Sequence, residues 1–457
     1  MIITDLNVRF AIDYSYAGDL GFELRSPANL PLTLASLSAA LLCPRRIRSP
    51  LTTSAALALY AVIIGLTLLA TWHLNIRPVY ADMYFHAGEG YSQQQQAGLN
   101  EQIVATDLFL KTIRSNRNED FYYLNLGRAL MNIADQLRVQ NDGNIGTPLP
   151  EAETDIQRAQ QVRDRVGTLL ALNDVQAVAT FVQARSPLEM MGYAEAVLER
   201  ARQLNPLNKD HYANLGRLNN FWYSWTRDRR HLEDAAEWYR QANEIAPQDV
   251  SLLNESASIL LTLGAVNDAE GQNDAAQEQY VQARDLLERS MRFESGYADT
   301  PPRLAEAYRL TGNMEQAVEI YAQMIKDDPH QLDGSLERLI ASLEGEPELL
   351  RTLRDAYAEV AAEDALLHSV VGLLSVRAGE LDTAVDAYAR AVELAPDDLE
   401  LRRNYTIVLS DTKNYDEALD QARDALSMAR EQDAGDGQVT QFEFLVSLFE
   451  RRAAGGQ

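Results

Sequence analysis

One spacing recurs along this chain and restricts what it can fold into. Tyr388, Ala391 and Pro396 follow Ala384 by four, seven and twelve residues. The same offsets hold Ala317-Tyr321-Met324-Pro329, Ala235-Tyr239-Ala242-Pro247 and Ala194-Leu198-Ala201-Pro206. Steps of three and four put the first three positions of each set on one face of a helix. Small Ala residues let two helices approach closely, the larger side chain fills the space between them, and Pro ends the helix. A single pair of helices built this way cannot bury its own apolar stripe, so successive pairs must stack. The expected fold is therefore all-α.

Gly372 and Gly379 precede Ala384 at the offsets of a first-helix glycine and a turn glycine. With them, the frame resembles the tetratricopeptide repeat, a helix-turn-helix unit of about 34 residues. That resemblance implies a tetratricopeptide-like α-solenoid that binds a partner, and it leaves the partner open.

Acidic residues outnumber basic ones, 67 to 41, for a formal charge of −26. Phosphate binding needs clustered Lys and Arg, so nucleic acid is excluded as a partner. The single cysteine, Cys43, rules out an intramolecular disulfide and a cysteine-based zinc site.

Leu51 to Leu74 contains no Asp, Glu, Lys or Arg. At about 1.5 Å per residue it can cross a hydrocarbon core of about 30 Å. Trp72 suits an interfacial position. A buried core helix is the alternative reading, and a cleaved signal peptide would start earlier and be shorter. Ser26 to Cys43 is a second uncharged stretch, with Pro27 and Pro31 at its start. It reads as a membrane helix or as a re-entrant or interfacial segment. Between the two, Pro44 to Pro50 carries Arg45, Arg46 and Arg48, which orients this loop to the cytoplasm. A transmembrane helical hairpin over 26–74 (segments 26–43 and 51–74, basic loop 44–50) then precedes the solenoid. It leaves residues 1–25 and the whole repeat array outside the cytoplasm, at the plasma membrane.

Beyond the hairpin, 81–296 reads as repeat-like helices with insertions, 297–432 as regular repeats, and 433–457 as a capping helix and tail. Ala81 to Tyr91 forms a first helix, and Phe121 to Gly127 opens a unit whose second helix is delayed. The delay contains the turn-rich run Asn141 to Pro150, after which Glu151 to Arg185 reads as one helix. From Gly216 to Ala235 is 19 residues, against 12 from Gly372 to Ala384. The excess carries Phe221-Trp222-Tyr223-Ser224-Trp225. Val439, Phe442, Leu445, Leu448 and Phe449 mark the capping helix.

Catalytic motifs are absent: the chain has no phosphate-binding glycine loop, His-Glu-x-x-His, nucleophile elbow or Cys-His metal spacing. No catalytic residue, metal ligand or cofactor is therefore expected. Asp327-Asp328 and Asp397-Asp398 flank repeat prolines and read as solvated turns. Trp222, Tyr223 and Trp225 either fill a helix crossing or form an aromatic platform for a partner. First helices would line a concave face with Glu306, Arg309, Ser369, Leu373, Arg403 and Ile407. Arg303, Arg309, Arg402 and Arg403 would contact anions on a partner or pair with surface carboxylates. Carboxylate-clamp tetratricopeptide domains use Lys and Asn on that face, and this chain lacks the set.

The run Asp19-Leu20-Gly21-Phe22-Glu23-Leu24-Arg25-Ser26-Pro27-Ala28-Asn29, followed by an apolar segment, resembles the late extracytoplasmic loop and membrane helix of the O-antigen ligase/polymerase family. Ile76 to Asp82 and Asn214 to Leu218 resemble the repeat tails of bacterial members. Family enzymes are polytopic and use arginines and a histidine-bearing loop on lipid-linked glycan. This chain has at most two membrane segments and no histidine before His73. The resemblance thus implies a tail without its catalytic body.

Three functions follow as expectations. The first is a non-catalytic membrane-anchored scaffold that recruits a protein on the extracytoplasmic side. The second is an accessory or truncated half of a glycan polymerase or ligase, with a glycan or a polytopic subunit as partner. The third is a structural subunit of a larger membrane complex.

Overall fold

The computed structural model describes residues 53–94, 97–150, 152, 154–332, 334–432 and 435–455. The 1–25 segment, the 26–43 span, the 44–50 loop and the Asp19–Asn29 run lie outside these residues. The chain divides into two units, Met1–Ile76 and Arg77–Gln457. Among the described residues every regular element is helical and no strand occurs.

In the first unit, α1 (Thr53–Thr71) is followed by a π-helical turn, Trp72–Ile76. Its Leu57, Ile64, Leu66 and Leu68 side chains are all exposed. One helix among the described residues, Leu57–Ser92, is long and apolar enough to cross a membrane by length and composition, and none of its apolar window is buried.

The second unit opens with α2 (Arg77–Ser92), α3 (Leu99–Ser115), α4 (Asp120–Gln140), α5 (Asp155–Leu170), α6 (Val175–Gln183) and α7 (Pro187–Leu204). It continues through α8 (Lys209–Thr226), α9 (Arg229–Ile245), α10 (Val250–Ala269), α11 (Asn273–Phe293), α12 (Thr300–Leu310) and α13 (Met314–Asp327). It closes with α14 (Leu336–Ser342), α15 (Pro347–Val360), α16 (Ala365–Arg377), α17 (Leu381–Leu394), α18 (Leu399–Asp411), α19 (Tyr415–Glu431) and α20 (Asp436–Gly455). Helices pack pairwise, α2 on α3, α4 on α7, α8 on α9, α10 on α11, α12 on α13, α16 on α17 and α18 on α19. Neighbouring pairs meet through α3 and α4, α7 and α8, α9 and α10, α11 and α12, and α17 and α18, while α15 bridges α13 and α16.

The recurring frame acts through one contact. A Cβ added to Gly372 would meet Cε2 of Tyr388 at 2.7 Å, and one on Gly216 would meet Cε2 of Tyr239 at 2.7 Å. Gly264 faces Tyr280 in the same way, Gly88 faces Phe109, and Gly127 faces Leu198. The glycine is the hole and the ring is the knob, so the helices of a pair lie closer than a side chain would permit. Ala305 holds the glycine's offset before Tyr321, and both are buried in one cluster. In the last pair the sizes are reversed, with Thr406 at the glycine offset and Ala422 at the tyrosine offset, both fully buried.

Three of the four repeat prolines precede a helix cap by two residues; Pro329 is the exception, with the next helix capped at Ser335. After Pro206, Asn208 accepts from the Asp210 N–H at 3.0 Å. After Pro247, Asp249 accepts from Leu252 N–H at 3.1 Å. After Pro396, Asp398 accepts from the N–H groups of Glu400 and Leu401 at 2.8 and 3.0 Å. Asp398 therefore does more than solvate a turn, because it satisfies the orphan donors that open α18.

Two expectations are corrected. Glu151 to Arg185 is not one helix: α5 stops at Leu170, and Asp174 caps a new start by accepting from Ala177 N–H at 2.8 Å. Asn173-Asp174 competes with the backbone in this way and favours a cap over helix interior. Within 297–432 one unit departs from the regular pattern, because its first helix, α14, has only seven residues. Gly345 at φ +87° and Pro347 close it early and start α15. At the far end α20 buries Phe442, Leu445 and Phe449, while its outer face is polar apart from Phe444.

Candidate functional site

Two of the irregular stretches in the repeat frame line one cleft. The first is the stretch between α4 and α7, two helices that pack on each other like a repeat pair despite the intervening α5 and α6. The second is the seven-residue excess between Gly216 and Ala235, which lengthens α8 to Thr226. The cleft has a volume of about 390 Å³ and lies among Leu149 and Pro150, α5, α7, α8 and α9.

Its walls are fastened to the repeat pair by local bonds. Leu188 N–H donates to Ile145 C=O at 3.1 Å. Ser186 caps α7 through a reciprocal capping box: Glu189 N–H donates to its Oγ at 3.2 Å, and its own N–H donates to the Glu189 carboxylate at 2.8 Å. Arg165 on α5 donates to Pro150 C=O at 2.9 Å and Gly192 C=O at 3.1 Å, so one guanidinium ties loop, α5 and α7 together. Gly192 leaves the room that Leu149 occupies, since a Cβ there would meet Leu149 Cδ1 at 3.1 Å.

Two tryptophans form the aromatic part of the lining. Trp222 is buried and stacks on His231, with ring centroids 4.6 Å apart and planes 14° from parallel. Trp238 lies beside Tyr212 at 6.1 Å, with the Arg202 guanidinium 5.7 Å from its ring. Around them stand Glu195, Glu199, Asp234 and Glu237, facing Arg158, Arg165 and Arg230. Burial pushes the Glu195 carboxyl above the usual carboxylate range, with Arg165 and Arg158 opposing. The Glu195 side chain still keeps 45% of its exposure, to the water of the cleft, and that water limits the rise. Asp234 is pushed the same way by burial, with His231 and Arg158 opposing, but the residue is exposed and its solvent contact limits the rise.

The side chains expected to bind a partner are spread over the unit. Of the aromatic run only Trp222 lines the cleft. Tyr223 is half-buried with Arg227 5.5 Å from its ring. Trp225 is half-buried against Phe221 at 4.9 Å and under Arg138 at 5.4 Å. Arg303 pairs with Asp299 at 3.0 Å, and Arg309 forks Glu306 at 2.6 and 2.7 Å. Arg402 donates to Pro396 C=O and Gln421, and Arg403 lies 3.5 Å from Glu400. None of these arginines lines the cleft.

Sequence reasoning missed Glu195, Asp234, Arg158, Arg165 and Trp238. Their only signal was indirect, since they lie where the frame is broken or stretched. It also missed His211, which is fully buried on α8 with Nε2 2.5 Å from Asp120 of α4. Among the described residues no group of three or more His, Cys, Asp or Glu is placed to hold a metal ion. Opposed charges beside aromatic rings suit the cleft to holding a charged or polar side chain.

Residues 274–343 match the family model described as tetratricopeptide repeat. No curated protein matches the chain. Among solved structures, a thermophilic tetratricopeptide protein of Thermus thermophilus is 20% identical, over 55% of this chain and 98% of its own, with a TM-score of 0.24. PilF of Pseudomonas aeruginosa is 18% identical over 56% of this chain and 98% of its own, with a TM-score of 0.28. YrrB, described as having an unusual peptide-binding site, is 17% identical over 54% and 97%, with a TM-score of 0.26. Those scores are too low to place the chain among these proteins. Nothing in these matches links it to the O-antigen ligase family. The chain therefore carries a tetratricopeptide repeat at 274–343, and the glycine-in-ring packing recurs in helix pairs on both sides of it.

Proposed function

We propose that the protein is a non-catalytic, membrane-anchored scaffold whose repeats recruit a protein partner on the extracytoplasmic side. The observation that carries the scaffold reading is the cleft, which two departures from the repeat frame build together. Stacked helix pairs present long side-chain-lined surfaces, and a shaped recess among charged and aromatic groups gives such a surface selectivity. Support for anchoring comes from the helix Leu57–Ser92, whose apolar window is unburied. The side assignment rests on the arginines between Pro44 and Pro50.

Protease added outside intact cells, with access to the outer face of the membrane, tests the side. The expected result is loss of residues 77–457 together with a known external control. Survival of those residues while the control is cut would overturn the orientation.

A further inference from the structure

The charges of the cleft are not equivalent. Arg202 forks Glu199 at 2.5 and 2.8 Å, Arg240 forks Glu237 at 2.6 and 2.7 Å, and Arg230 lies 2.7 Å from Asp228. Glu195 and Asp234 differ. The nearest cation to Glu195 is Arg165 at 3.8 Å, which already donates to two backbone carbonyls and Gln161. The Asp234 carboxylate makes no hydrogen bond or ion pair among the described residues. We propose that this cleft takes a cationic side chain, lysine or arginine, from a partner protein, seated between Glu195 and Asp234 against the Trp238 ring.

Several independent features favour a cation over an anion. Asp234 repels the charge on Glu195, and burial disfavours that charge further, so an entering cation relieves it. Trp238 already attracts one guanidinium, and aromatic faces favour cations. The chain's net charge of −26 draws basic partners and repels acidic ones. The chain's own cations compete: Arg165 acts on Glu195, His231 and Arg230 act on Asp234, and Arg158 acts on both carboxylates while its guanidinium makes no bond of its own among the described residues. The proposal rests on the scaffold reading and specifies what that scaffold recognises.

Calorimetric titration of the full chain in detergent tests it, with a capped Gly-Arg-Gly peptide as probe and capped Gly-Glu-Gly and spermidine as comparisons. The arginine peptide should bind and the glutamate peptide should not. The double variant Glu195→Gln/Asp234→Asn should weaken binding roughly tenfold or more, as loss of a charge partner does. Arg158→Gln should tighten it about threefold, as removal of an exposed competing charge does. The proposal is overturned by unchanged affinity in a double variant that keeps the parent's melting temperature. Weaker binding by Arg158→Gln, preference for the acidic peptide, or tighter binding of spermidine than of the peptide would overturn it equally. Unchanged peptide binding with partner crosslinks intact would sink the cleft proposal alone and leave the scaffold standing.

Discussion

Gly372 sits under the ring of Tyr388, so close that a single added methyl would fall 2.7 Å from Cε2. Helix propensity alone favours Ala over Gly by about 1 kcal/mol in a helix interior. Here the overpacking cost, about 1–3 kcal/mol, opposes it. Gly372→Ala should therefore destabilise, and Gly372→Ala/Tyr388→Leu should recover part of the loss. Chemical denaturation of the two variants measures both effects.

His211 supplies a pH dependence. Its Nε2 is held by Asp120, while its Nδ1 is buried without a hydrogen-bond partner among the described residues. Burial pushes the imidazole below its ordinary range, against the pull of Asp120 and Asp210 and with the repulsion of Arg128. Because the folded value lies below the unfolded one, the unfolded chain binds the proton more readily. Stability is then full above about pH 6.5 and falls as pH drops toward the folded value. Asp120 is held low by Asn208 and His211, so its contribution is lost only in stronger acid. Thermal melts between pH 7.5 and 5 should show the decline, and His211→Gln should flatten it.

Ser186 holds a helix start and the wall of the cleft together. Besides its capping box, its Oγ donates to Thr147 C=O at 3.2 Å. Ser186→Ala should cost about 1 kcal/mol, as lost N-caps do. It should also raise amide exchange at Glu189 and Leu188, while amides of α16 and α17 stay unchanged.

Trp222 and Trp225 should separate cleanly. Trp222 is 7% exposed, whereas Trp225 is half-buried at the end of α8. Trp222→Ala should cost about 3–5 kcal/mol, the range for a large buried aromatic. Trp225→Ala should cost clearly less, and denaturant midpoints compare them directly.

The repeat frame was legible because it is covalent and periodic: Ala384, Tyr388 and Gly372 each occur at a fixed offset, and the contact follows from the offsets. Ala305 and the Thr406–Ala422 reversal were less legible, since they keep the volume of the contact while changing its residues. The break at Asp174 was hidden because α5 and α6 share an apolar rhythm and only the cap separates them. The cleft was not legible at all. Glu195 and Asp234 are ordinary exposed-face residues in sequence, and only the packing of the insertion beside the lengthened α8 gives them a common recess.

The central claim is that a membrane-anchored repeat array holds a partner protein at this cleft. It is tested most directly by placing a photo-reactive side chain at Gln241, which lines the cleft, or at Ile407 on α18, in living cells. A covalent protein adduct from Gln241, recovered in the membrane fraction and lost with Glu195→Gln/Asp234→Asn, is the predicted result. Adducts from Ile407 alone, or a chain recovered free of membranes, would contradict it.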